Sequence, residues 1–443
     1  MAVEHWMMFG NFTTQRHFVY PSKESYDGVL INANMAAYAP DGLASFLLEK
    51  TANIKYIIDP ITHAFQHNPD FITNDKGEVK KSIQKMAEGY DFPGDKLGKE
   101  PVTPEYLLDP ARLKGLIDNC LRFQSTLLSD KILESDEMKY FSDDNPTTKP
   151  DALVIPYFYM TESTYDDWLK VLALTIKLAL KSDWPDSKLF GSIVINRGIL
   201  TNDNAINDIT QVLIDSDLDG YLLWINDFYE LGASESELKG LLKISDKLRD
   251  KGKREVINKH GSYFSVLAAS GLGNNVLSGV THGPEFGEYR EVVPVGGGIP
   301  IARYYIPELH DRIRYRDAAR IFKRMGYLES AESFHNNVCK CDRCIEIIKG
   351  NADNFIEFGA SNPKKVRRGR GIVTIDYPTR ETTVNCLEHY LQRKKKEYTS
   401  VATKSTEELL EDLERGRRIY EIEMGIDSVG YLKLWHKVFS DLQ

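Results

Sequence analysis

The chain has 443 residues, 42% of them apolar and 27% charged, with a formal net charge of −9. That length exceeds one minimal domain and suits a large barrel with an appendage. No apolar run is long enough to span a bilayer, and the N-terminus lacks the basic start and apolar core of a secretory signal, so a cytoplasmic protein with no membrane partner is expected. The acidic balance excludes uniform coating of nucleic acid but leaves room for a local basic patch.

In chain order, short apolar runs alternate with longer amphipathic ones. Residues 28–32 read as a buried strand, 40–50 as a helix, and 56–59 as a strand stopped by Pro60. A polar interval at 68–100 reads as an insertion with a small hairpin near 71–80. Helical periodicity runs over 112–128, and 129–150 is a second polar excursion. The alternation then becomes regular. Strands are expected at 152–157, 189–195, 220–225, 255–258, 276–280 and 299–304, with helices at 164–181, 204–214, 234–250, 263–270 and 309–325. Eight strands, most followed by a helix, predict an α/β fold, a (β/α)8 TIM barrel with a C-terminal zinc-binding subdomain. No Gly-x-Gly-x-x-Gly follows the first expected strand, which argues against a dinucleotide fold. The glycine run 296–298 reads as a loop. The expected units are a barrel over 1–330, a zinc-binding unit with a basic segment over 331–400, and helices over 401–443 that pack back on the barrel.

The zinc expectation rests on VCKCDRCI, which holds Cys339, Cys341 and Cys344, three of the five cysteines. Cys-x-Cys-x-x-Cys can place three thiolates on one turn around a tetrahedral ion. Cys386 is the expected fourth ligand, with His389, one helical turn later, as the alternative. Four protein ligands make the zinc structural, because a catalytic ion keeps a vertex for water. Between residues 362 and 399 stand ten Lys or Arg against four Asp or Glu, a local charge of +6. Lys364, Lys365, Arg367, Arg368 and Arg370 are the candidate phosphate-binding residues within it.

These motifs resemble the tRNA-guanine transglycosylases and their DNA-modifying relatives that insert 7-deazaguanine bases. The cysteine triplet lies after the eighth expected strand, as in that family. The segments LFGSIVINRG at 189–198 and DLDGYLLWIND at 217–227 are similar to the family's strand–helix–strand pair. The segment from Ile58 to Gln66 is similar to its Asp-Ser-Gly-Gly-Phe-Gln, and Leu277-Ser-Gly-Val280 to its Gly-Val-Asp strand. The resemblance implies exchange of guanine for a 7-deazaguanine-type base in tRNA or DNA, a zinc-stapled subdomain, and a homo- or hetero-dimer. Asp59 matches the family's acid/base aspartate. No aspartate follows the Gly-Val segment, where Thr281, His282, Gly283, Pro284 and Glu285 stand instead.

Exchange at an N-glycosidic bond needs one carboxylate to attack or shield an oxocarbenium-like carbon and a second group to manage protons. Asp59 with Glu285 could supply the pair, with Asp227 as rival to Glu285. Asn196 could read a purine edge, Tyr157 or Trp224 could stack on the base, and His260 and His282 are expected at the same barrel end. The alternative is a catalytically silent relative that binds nucleic acid or a partner subunit.

Overall fold

A computed structural model of the protein describes residues 3–9, 23–49, 54–134, 149–182, 184, 187–283, 288–293, 301–368 and 371–443. Nine strands form its main sheet: β1 (Glu4–Met8), β2 (Gly28–Asn32), β3 (Lys55–Asp59), β4 (Ala152–Val154), β5 (Tyr159–Met160), β6 (Lys188–Asn196), β7 (Gly220–Asn226), β8 (Glu255–Asn258) and β9 (Gly279–His282). Every pairing is parallel. β4 pairs with β6, and β1 pairs with both β2 and β9, so eight strands close into a barrel while β5 only extends the edge of β6. The barrel is filled by Trp6, Met8, Leu30, Ile57, Val154, Phe190, Leu222 and Ile257. Trp6 lies so close to Gly28 that a Cβ there would stand 2.4 Å from its ring, so only glycine fits.

The α/β barrel is as expected, but its strands are counted from a different start. Residues 28–32 form the second strand, because Glu4–Met8 precedes it. Of the expected strand 299–304, residues 299 and 300 lie outside the described residues, and the rest adds no barrel strand. Arg303–Ile306 (β10) instead pairs antiparallel with Asp311–Arg314 (β11). Its turn places His310 at φ +51°, and the alternation Asp-Arg-Ile-Arg suits a half-exposed ribbon, not a strand buried on both faces. In the 68–100 interval a single bridge, Thr73 to Val79, marks the expected hairpin, and helix Lys81–Gly89 follows. The helix expected over 112–128 extends to Pro110–Glu134.

The helix over the β1–β9 seam comes late in the chain, beyond residue 330. It is Arg380–Thr403. Its Tyr398 hydroxyl lies 2.8 Å from His282 Nε2 and donates to the Val280 carbonyl at 3.2 Å, while its ring stacks on His5 at 4.4 Å. The metal-ligand segment is therefore inserted before a barrel helix. Two further helices, Thr406–Met424 and Ile426–Ser440, follow it and reach back to the barrel. Trp435 Nε1 donates to the Glu230 carbonyl at 3.4 Å, and Lys437 pairs with Glu235 at 2.5 Å. Among the described residues no helix is long and apolar enough to cross a membrane.

His5 makes this seam sensitive to acid. It is 2% exposed, and burial depresses its pKa from 6.5 to about 4 against the opposing hydrogen bond to the Ser25 carbonyl. The unfolded chain takes up a proton below pH 6.5 that the folded chain refuses until about pH 4. Stability is therefore whole above that window and lost as pH falls through it, by up to ~3 kcal/mol for this group. Denaturant midpoints between pH 7 and pH 4.5 should fall, and His5→Phe should flatten the slope.

Candidate active site and metal centre

The carboxyl ends of the barrel strands bring four side chains together. Asp59 ends β3 and is fully buried. Its Oδ1 accepts from the Tyr157 hydroxyl at 2.6 Å and its Oδ2 from Lys259 Nζ. Lys259 follows β8, is 1% exposed, and holds its ammonium 4.0 Å from the centre of the Trp224 ring. Tyr157 is fixed by a reciprocal pair with Thr62: the Thr62 hydroxyl donates to the Tyr157 carbonyl at 2.6 Å, and the Tyr157 amide donates back at 2.8 Å. Burial lowers the Lys259 pKa, with Asp59 opposing, and drives the Tyr157 hydroxyl well above its ordinary value. His63 and His260 flank Trp224 at ring separations of 5.2 and 5.0 Å. Both are held neutral, first by burial and then by the Lys259 charge. Residues 288–293 cross the mouth. The Trp224 indole donates to the Arg290 carbonyl at 3.1 Å, the Val292 amide donates to Asn226 at 2.7 Å, and the Val292 side chain joins the barrel interior.

Of the residues expected in the site, Asp59, Tyr157, Trp224 and His260 converge here. Asn196 and Asp227 lie on the rim. The Asn196 amide donates to Tyr159 Oη at 3.1 Å and accepts from the Gly198 amide at 2.9 Å, so it caps the turn that follows β6. Asp227 is exposed, with φ +52°. His282 faces outward, its ring nitrogens engaged by the Gly261 carbonyl and Tyr398. Glu285 lies outside the described residues. Lys259 was not expected. Its signal is a lysine just past an apolar strand, in a barrel whose strand ends all meet at one mouth.

The second site is the cysteine cluster. Cys339 follows helix Ala331–Asn337, Cys341 caps helix Asp342–Ile348, Cys344 lies in that helix's first turn, and His389 projects from Arg380–Thr403. His389 Nδ1 lies 3.6, 3.3 and 3.3 Å from the sulfurs of Cys339, Cys341 and Cys344, and all four donor atoms lie within 4.8 Å of one another. A tetrahedral ion with bonds of about 2.0–2.3 Å wants its donors at comparable separations. His389 Nε2 donates to the Tyr305 carbonyl at 2.7 Å, which leaves Nδ1 free to ligate, and Tyr304 stacks on the ring at 4.2 Å. The cluster is buried and could hold a metal ion. Hydrogen bonds from Cys341 and Cys344 push Cys339 towards thiolate, while burial and the neighbouring sulfurs raise Cys344. A divalent cation is the partner that lets all three sulfurs ionise together. Cys386, the expected fourth ligand, is a correction: its thiol donates to the Phe358 carbonyl at 3.4 Å. It lies one turn earlier on the helix, where it meets Phe358, while His389 reaches the cluster.

Part of the expected basic patch is a surface and part is core. Ser361–Arg368 (β12) and Gly371–Pro378 (β13) form a two-stranded antiparallel ribbon. Lys364, Lys365 and Arg367 on it are exposed, as is Ile372 at 73% near the turn. Only the backbone of Arg368 is described, and Arg370 lies outside the described residues. Lys394, counted in the same window, is buried between Glu288 at 2.6 Å and Glu397 at 3.1 Å. Comparison with protein-family models found none that matches this chain, and comparison with curated proteins found no match either.

Proposed function

We propose that the protein transfers a glycosyl group on a nucleic acid, exchanging a guanine for a 7-deazaguanine-type base in tRNA or DNA, with zinc as a structural staple. The observation that carries this reading is the pairing of a carboxylate and an amine at the barrel mouth, Asp59 with Lys259, in a chain that also bears an exposed cationic ribbon. A carboxylate and a proton-carrying partner held together are what scission of an N-glycosidic bond requires. The ribbon supports the substrate class: a two-stranded β-ribbon fits the major groove, and its cations would grip phosphates. The target base must leave its stack to reach the mouth.

The test is incorporation of labelled guanine into tRNA and into duplex DNA, comparing the intact protein with Asp59→Asn and checking both by thermal melt. Incorporation should fall at least about 10²-fold, the contribution of one acid–base group. Incorporation unaffected by the change would remove Asp59 from the reaction.

A silent binding relative is the second reading. It is favoured by the burial of Asp59 and by Val292 closing the barrel interior. Both readings use the ribbon. Replacing Lys364, Lys365 and Arg367 with serine should reduce the slope of log Kd against log salt by about 2–3, at roughly 0.9 per lost phosphate contact. An unchanged slope would exclude the ribbon from the interface.

A further inference from the structure

We propose that Lys259 is the nucleophile of this site, its amine attacking the anomeric carbon of a nucleotide sugar. The inference rests on the glycosyl-transfer reading above and names the group that would perform it. In β9, Thr281 is buried and His282 has both ring nitrogens engaged, and Glu285 beyond it lies outside the described residues. Lys259 has what a nucleophile needs. Its backbone amide continues the strand by donating to Leu223 at 2.7 Å, so its position is set by the barrel. Its Nζ is confined between the Trp224 face and a carboxylate whose other oxygen is occupied by Tyr157. A buried ammonium gives up its proton more readily than a hydrated one, and Asp59 is placed to receive it. A second, independent observation points to a ligand: His63 and His260, each at least nine-tenths buried, leave Nδ1 and Nε2 respectively without a hydrogen-bond partner among the described residues. Polar atoms of a bound sugar or base would satisfy them.

The step balances without an oxidant. The neutral amine forms a bond to C1′, the C1′–N bond to the base breaks, and its electron pair leaves with the base. The amine's proton passes through Asp59 to that base. Shift of the second N–H proton to the ring oxygen opens the sugar to an imine. Reclosure and attack by an incoming base reverse the sequence and release Lys259.

The probe is the full-length protein with duplex DNA containing one abasic site, whose ring-opened sugar presents C1′ as an aldehyde, with sodium cyanoborohydride added. Hydride reduction of an imine fixes it as a secondary amine, and peptide mapping by mass spectrometry locates it. The expected result is a dominant adduct on Lys259. A lysine only 1% exposed is among the last that a free aldehyde meets by chance, so an adduct there reports a site. Adducts confined to surface lysines would overturn the proposal. Guanine exchange is measured in parallel. Exchange with no Lys259 adduct sinks the lysine and spares the glycosyl-transfer reading. An adduct without exchange does the reverse. Lys259→Met should lower any exchange on the order of 10⁴-fold. Because that variant can misfold, the mapping on the unaltered protein is decisive.

Discussion

Replacing His389 with alanine is expected to release the metal and unfold the region that carries it. The imidazole is one of four donors within 4.8 Å, and its other nitrogen is tied to Tyr305. Removing it leaves three buried sulfurs without a closing ligand. Zinc held by a closed set of four such donors contributes apparent binding energies of about 10–16 kcal/mol, so with an ion bound there most of the local fold should go with it. Metal content by elemental analysis should fall from one equivalent towards zero, and the thermal transition should drop or split. Cys386→Ala provides the contrast. Its thiol meets only a carbonyl, so that variant should keep its metal and lose no more than a buried small side chain is worth, about 1 kcal/mol. Equal metal loss in both variants would contradict the geometry. A chelator at neutral pH should reproduce the His389 effect, more strongly as pH falls and the thiolates are protonated.

The second large effect concerns Asp59 and Lys259. Both are at most 1% exposed, and each is the other's counter-ion. Removing one leaves a charge buried and unpaired, which costs about 3–5 kcal/mol. Lys259→Met and Asp59→Asn should therefore each lower the denaturant midpoint strongly. The double variant should recover a large part of the loss, because no buried charge is then left without its counter-ion. A double variant whose loss equals the sum of the singles would mean that the two charges do not act as a pair.

Much of this arrangement was legible in the residues, and the failures have physical causes. The repeated strand–helix units marked a closed parallel barrel, and the spacing of Cys339, Cys341 and Cys344 marked a cluster that could hold a metal ion. β1 escaped notice because Glu4 and His5 break the apolar run that flags a strand buried on both faces. The stretch near 303 misled because Tyr304, Tyr305 and Ile306 are fully buried, yet against the helical unit and not in the barrel. Asp59 was found by its place at a strand end. Its partner Lys259 lies 200 residues away, and no local pattern reports a contact at that range. The choice between Cys386 and His389, on adjacent turns of one helix face, hung on how far along that helix the triplet sits, which only packing decides.

Helix Arg380–Thr403 also bears on how the molecule assembles. It carries His389 near its middle and Tyr398 one end further on, against the strand pair that shuts the barrel. The first strand is thus roofed by a segment nearly four hundred residues downstream, reached only after the sulfur ligands have been made. Such long-range closure is slow, and until it happens the apolar flank of β1 and β9 stays uncovered. The cluster that could hold an ion and the helix that covers the first strand are thus parts of one late segment, so the order in which they form bears on when the barrel is covered.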